Sequence, residues 1–395
     1  MQRSESKILT THVGSLIRPP KFVANLKGVD AGDAAAMREY PQRLREAVAR
    51  IVREQTEIGI DVVSDGEFGK SASWSRYILE RLTGFEQRAG IGLKVGEVVA
   101  KSRDRALFPE FYAEYDKTQG FVGTKGNWVC TGPINYRGQD LIRRDIDNFK
   151  AALAGVSVVE PFIPAVAPGS VVPDRINEYY KNDEELIFAV ADALHDEYRA
   201  IIDAGFLLQV DDSHLPLMYE RMVPPGSFAD YLAWADLRLS ALNHALQGLP
   251  EDRIRYHLCW GSWNAPHTAD VPLKDIVHLL LRLRVGAYSI EAANVRHEHE
   301  WHLWETVKLP SHKILIPGVI SHATNVIEHP ELVAERITRL AALVGRENVI
   351  AGTDCGFAQG PYVRRVHPSI MWAKLQALVE GTKLASNKLW HRRAA

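Results

Sequence analysis

Short apolar runs rich in β-branched residues alternate with long amphipathic stretches along most of this chain. Nine runs have strand character: "KILTTHVGS" (7–15), "DVVSDGE" (61–67), "NWVCTGP" (127–133), "FIPAVAP" (162–168), "FLLQVDD" (206–212), "IRYHLCW" (254–260), "AYSIEAAN" (287–294), "KILIPGVIS" (313–321) and "VIAGTDCG" (349–356). Between them, residues 44–59, 183–205, 332–345 and 369–386 repeat apolar side chains at helical spacing, and several of these stretches end at glycine. Parallel strands need a crossover connection, so β–α–β–α units in series imply a parallel sheet. Eight such units close into a TIM (β/α)8 barrel, the α/β fold expected here. "FIPAVAP" makes one run too many. Its two prolines lack ladder donors, and it is expected as an extended loop over the barrel mouth. An open doubly wound sheet would need a glycine-rich phosphate loop after the first strand, and none is present. "GIGLKVG" (90–96) has the wrong spacing for one and is expected as a turn.

One barrel domain is expected over residues 1–395, with long excursions at about 84–126 and 136–182. The first carries Phe108, Phe111, Tyr112, Tyr115 and Phe121, which suits a lid over an apolar ligand or a small packed subdomain. A formal net charge of −2 gives no reason to expect nucleic acid or an anionic membrane as partner. The N-terminus lacks the apolar core of a signal peptide, no run is long enough to span a bilayer, and a cytoplasmic protein is expected. Three cysteines, Cys130, Cys259 and Cys355, do not make a disulfide framework. Cys130 lies inside a strand and reads as core.

TIM-barrel chemistry sits at the C-terminal ends of the strands. Read there, the chain offers Gly14, Ser15 and nearby Arg18; Asp65, Gly66 and Glu67; Thr131 to Pro133; Asp211 and Asp212; His257 and Cys259; Glu291 and Asn294; Ser321 and His322; Asp354 and Cys355. Buried charge is costly without a partner, so a plain core would not collect titratable groups at one end. Four of them form a metal set. His257 and Cys259 are two apart on one strand and share a face. Glu291 ends the next strand and Cys355 the last. Two thiolates, an imidazole and a carboxylate suit Zn²⁺. "RHEHEWHLWE" (296–305) has more histidines, but no zinc-protease spacing, and is expected as a solvated helix start. There is no G-x-S-x-G elbow for a serine nucleophile.

The ordered strings "THVGSLIRP", "SDGE", "CTGPIN", "LLQVDD", "HLCW", "IEAAN", "PGVISHATN" and "GTDCG" resemble the catalytic barrel of cobalamin-independent methionine synthase, and more closely its short single-barrel relatives. That superfamily includes a zinc-dependent epoxyalkane:coenzyme M transferase and, more distantly, uroporphyrinogen decarboxylase. The resemblance implies zinc held by His257, Cys259, Glu291 and Cys355. It also implies a proton shuttle at His322 and a grip on the amino-acid thiol by Ser15, Glu67 and Asp211. The chain departs from the long form at Asp65, where that form has a histidine, and at "VDDSH". It also departs in an extra "FIPAVAP" excursion and in lacking an N-terminal half that helps hold a folate tail.

A free thiol is mostly protonated at neutral pH, and metal coordination deprotonates it. The expected function is therefore a zinc-dependent methyltransferase acting on homocysteine or a similar thiol, with Arg18 available for the carboxylate. The partners are the thiol and a methyl donor, methyl-folate or methylcorrinoid, and a homo-oligomer is left open. Alternatives are a zinc-dependent alkyltransferase for another thiol or an epoxide, and a metal-free decarboxylase or binding barrel.

Overall fold

Eleven strands order the chain among the described residues: β1 (Leu9–Thr10), β2 (Val62–Ser64), β3 (Phe85–Arg88), β4 (Asn127–Cys130), β5 (Glu160–Val166), β6 (Ile176–Asn177), β7 (Leu207–Asp211), β8 (Ile254–Leu258), β9 (Ala287–Ile290), β10 (Ile314–Ile320) and β11 (Ile350–Thr353). The structure is a computed structural model that describes residues 1–88, 102–118, 127–173, 175–261 and 263–390. Eight strands lie side by side in the order β1-β11-β10-β9-β8-β7-β5-β2, and every ladder between neighbours is parallel. β1 and β2 meet through single contacts that bring the barrel round: Asp61 N–H donates to Thr10 O at 3.2 Å and the Thr11 hydroxyl to Val62 O at 3.0 Å. Amphipathic helices cover the outside. The Asp183–Asp203 helix, capped by the Asn182 side chain, buries Leu186, Val190, Leu194 and Ile201.

Two strand assignments change. "FIPAVAP" is not a mouth loop: it forms most of β5, a barrel strand between β2 and β7. Pro164 is tolerated because β2 is only three residues long and pairs with β5 no further than Phe162, which leaves Pro164 with a ladder neighbour on one side only, and Pro168 lies past the strand, at the start of the Pro168–Val171 helix. The ring of Pro164 fills the space over Gly14, where a Cβ would stand 2.4 Å from Pro164 Cγ. "NWVCTGP" does form a strand, but β4 belongs to a separate sheet, antiparallel to β3 and parallel to β6. Residues 136–182 are thus not one excursion, since they hold the Gln139–Leu153 helix and β5. Cys130 is fully buried in β4, as its strand position implies. "GIGLKVG" and Phe121 lie outside the described residues.

His12 ties the first two barrel strands together. Its Nδ1 accepts the Gly14 N–H at 3.0 Å, so its Nε2–H donates to Gln55 Oε1 at 2.7 Å. Gln55 in turn donates to Ser64 O and accepts from Ser64 N. Burial lowers the His12 pKa from 6.5 to about 4. Between those values the unfolded chain binds the proton and the folded one does not, so stability contributed here falls as pH drops from 6.5 and is gone by about 4. The expected loss is about 3 kcal/mol. Urea unfolding of wild type and His12→Asn at pH 7.5, 6, 5 and 4 should show their stability difference shrinking by that amount; a flat difference would reject the account.

Candidate active site

The ends of β8 and β11 bring three soft ligands together. His257 lies in β8 and Cys259 just beyond it, two residues on and therefore on the same side. Cys355 follows β11 by two residues. One donor atom from each lies within 4.8 Å of the others, and the two sulfurs are 3.4 Å apart, well beyond a covalent S–S bond of about 2.05 Å. All three residues are buried. His257 Nδ1 is 3.2 Å from the Ser289 hydroxyl on β9, and His257 Nε2 has no hydrogen bond among the described residues. Contact with Cys259 and with His257 holds the Cys355 thiol well below the ordinary range, although burial opposes this. The Cys355 contact and burial drive Cys259 the other way. A buried, unpartnered imidazole nitrogen beside a thiol poised to ionise is the environment a thiophilic cation satisfies, and the N,S,S donor set fits Zn²⁺.

Glu291 stands one residue past β9 but outside this three-atom group. Its Oε1 accepts the Trp260 N–H at 3.2 Å and its Oε2 accepts the Asn294 amide. Burial, with Asp354 and Cys355 nearby, pushes its carboxyl well above the usual range. The loop that carries Glu291 is pinned by Asp354, whose Oδ1 accepts the N–H groups of Ala292 and Ala293 at 2.9 and 2.8 Å. Asp354 reaches them across Gly318, where a Cβ would lie 2.2 Å from Oδ1 and where the β10–β11 register shifts. His322, past the end of β10, is buried and close enough to Cys355 for its charge to lower that thiol's pKa.

The acceptor residues expected from the sequence gather at the ends of β1, β2 and β7. Ser15 is buried with its hydroxyl unpartnered, and its carbonyl accepts the Phe357 N–H at 2.8 Å beside Cys355. Glu67 has φ 62°, a left-handed conformation uncommon for Glu, and its N–H is held by Asp65 Oδ1 at 2.9 Å. Such backbone strain costs about 1–3 kcal/mol and concentrates at functional sites. Asp211 faces His257 across the β7–β8 ladder. Burial and then Glu67 push its carboxyl up to about 7. Arg18, expected to meet the substrate's carboxylate, is buried, and its Nε and Nη1 make no hydrogen bond among the described residues. One nitrogen, Nη2, donates to Glu67 O at 2.7 Å and Lys70 O at 3.2 Å, so Arg18 braces the turn that presents Glu67. The Thr131–Pro133 turn, which follows the separate sheet's β4, is not at a barrel-strand end.

The histidine-rich segment also changes. It forms a 3₁₀ turn at Glu298–His302, and His297 is not solvated. Its ring stacks on Trp260 at 3.9 Å and bonds Asp270 and Glu300 at 3.1 and 2.9 Å. Against the cost of burial, those two carboxylates hold its pKa up at about 10. Part of the aromatic excursion docks on the mouth. Ser102 donates to Glu220 at 2.8 Å, Asp104 accepts the Thr268 N–H at 3.0 Å, and Tyr115 lies close enough to Arg365 to feel its charge, as Arg365 feels that of Cys355.

A sequence profile described as "Cobalamin-independent synthase, Catalytic domain" matches residues 8–92 and 119–373. The chain belongs to this family. Its class of activity follows: it is a methyltransferase of the methionine-synthase kind. Relatives of this chain include a 2-hydroxypropyl-CoM lyase of Xanthobacter autotrophicus, 24% identical over 97% of this chain and 96% of that one. Another is a methionine synthase of Saccharolobus solfataricus, 22% identical over 96% of this chain and 95% of that one. The fold is similar to that of a B12-independent methionine synthase from Shewanella sp. W3-18-1, solved with selenomethionine, with a TM-score of 0.70, 18% identity and coverage of 98% and 99%. A putative vitamin-B12 independent methionine synthase from Listeria monocytogenes aligns with a TM-score of 0.66, 19% identity and coverage of 97% and 99%. No helix among the described residues is long and apolar enough to cross a membrane.

Sequence reading missed Lys70, which pairs with Glu67 at 3.1 Å. The signal was local: in "GEFGK" a lysine follows the glutamate by three residues.

Proposed function

We propose that this protein methylates homocysteine or a similar amino-acid thiol at a zinc site held by His257, Cys259 and Cys355, with Glu291 as the exchangeable fourth ligand. The observation that carries this is the buried imidazole-and-two-thiol group, set one ladder step from the carboxylate of Asp211. When bound, Zn²⁺ would supply a Lewis acid that keeps a substrate thiol deprotonated at neutral pH.

The chain's own residues then orient the reactants. Glu67 and Asp211 accept the acceptor's ammonium group, and the free Ser15 hydroxyl donates to its carboxylate. The acceptor sulfur forms the new S–C bond as the methyl carbon leaves its donor, a methyl-folate or a methylcorrinoid. His322 moves the proton at the donor's leaving atom. Burial of the whole group under the mouth loops excludes water and strengthens each of these contacts.

The assay is methyl transfer to homocysteine by zinc-loaded protein with each donor. Loss of a charge-assisted contact is expected to raise the acceptor KM by about 10- to 100-fold in Asp211→Asn and in Glu67→Gln, with a smaller change in kcat. Asp211 is raised to about 7 and grips an ammonium only when ionised, so the acceptor KM should fall as pH rises through about 7. Transfer that is indifferent to both substitutions would reject the acceptor assignment.

A further inference from the structure

We propose that Lys70 is the specificity-determining residue that reads the acceptor's carboxylate, so that the pocket recognises an α-amino-acid head group by opposite charges set side by side. This rests on the thiol-acceptor reading above. Lys70 is only 7% exposed. Its ammonium lies 3.1 Å from Glu67 Oε1 and makes no hydrogen bond among the described residues. It sits over the ring of Tyr77, 4.5 Å from the centroid. That tyrosine cannot serve as its acceptor: the phenol donates to Glu197 and receives the Val166 N–H. An ammonium carries three donors, and a buried one with a single ion pair leaves donors idle.

The surroundings say what would use them. Glu67 is on one side, and Asp211 is near enough to feel the lysine's charge. Arg18 holds the carbonyls of both Glu67 and Lys70, which fixes their spacing from below. Two anions, Glu67 and Asp211, and two cations, Lys70 and the bracing Arg18, thus lie together beside an unpartnered serine hydroxyl at Ser15, and of the cations Lys70 is the one ion-paired to Glu67's carboxylate. A zwitterion fits this arrangement charge for charge: its ammonium lies against Glu67 and Asp211, its carboxylate against Lys70 and Ser15. An anionic thiol without an ammonium would leave Asp211 unanswered. A cationic thiol without a carboxylate would leave the donors of Lys70 idle.

The test is calorimetric binding of three thiols to the zinc-loaded protein: homocysteine, 3-mercaptopropylamine (no carboxylate) and 4-mercaptobutyrate (no ammonium). Wild type is expected to bind homocysteine at least about tenfold more tightly than either analogue. Lys70→Met should weaken homocysteine and 4-mercaptobutyrate by about tenfold or more and leave 3-mercaptopropylamine within about twofold; Lys70→Arg should restore most of the loss. Equal weakening of all three thiols, or of none, would overturn the role of Lys70 while sparing the acceptor reading. A wild type that binds no thiol would overturn the acceptor reading itself, and this inference with it. If Lys70→Met fails to fold, Lys70→Gln is measured by the same three-thiol pattern.

Discussion

Replacing Cys355 with serine is expected to reduce bound zinc from one per chain to well below that, and to reduce methyl transfer by about 10³-fold or more, equivalent to about 4 kcal/mol of transition-state stabilisation. A serine hydroxyl is nearly the size of the thiol but stays protonated at neutral pH and is a hard donor, so it fails on charge and on softness together. The position matters because Cys355 is the hub: the Cys259 sulfur is 3.4 Å away, and His257 and His322 both act on its charge. Metal content by elemental analysis and kcat/KM on the same preparation check this. Cys130→Ser is the control, since Cys130 is in β4 and remote from the barrel-strand ends. Full zinc in Cys355→Ser would remove it from the ligand set.

The second large effect is on stability. Glu197→Ala is expected to cost about 3–5 kcal/mol, because it strips a partner from a buried cation. Glu197, 1% exposed, accepts the Tyr77 and Tyr136 hydroxyls at 2.7 and 2.6 Å and Arg81 Nη1 at 3.1 Å. The other end of Arg81 donates to Asp145 at 2.7 Å, but that carboxylate is shared with Arg144. Glu197→Gln keeps an acceptor oxygen and should lose roughly half as much. Urea unfolding of both variants separates these values. Equal, small losses would mean that packing of the Tyr77 and Tyr136 rings, not the carboxylate, joins the side sheet's flanks to the barrel.

Local pattern carried the barrel far. Period-two alternation placed His257 and Cys259 on one side, and strand ends put Cys355 near them. It failed where the deciding contact is remote in sequence. The prolines of "FIPAVAP" argue against a central strand, and only the shortness of β2 removes the conflict. "NWVC" is a strand by any local measure, yet nothing within it says which sheet it joins. His297 reads as solvated beside its charged neighbours until Trp260, 37 positions away, stacks on it. Glu291 was legible as a strand-end acid, but its hydrogen bond to the Trp260 N–H is a matter of tertiary placement. Lys70 was overlooked because a turn, not a helix face, brings it back onto Glu67.

The seam of the barrel has a consequence for how the protein matures. β1 pairs with β11, and the Phe357 N–H closes onto Ser15 O, so residues from the two ends of the chain frame one site. His257 and Cys259 come from the end of β8 and Cys355 from just past β11, so the three donors meet only when the strand that pairs with β1 is in place. At the proposed zinc site, metal binding is thereby coupled to ring closure rather than to local folding around the H-x-C strand. Removing the metal from the proposed site should then let the β1–β11 seam open more readily, read as faster proteolysis of the metal-free protein.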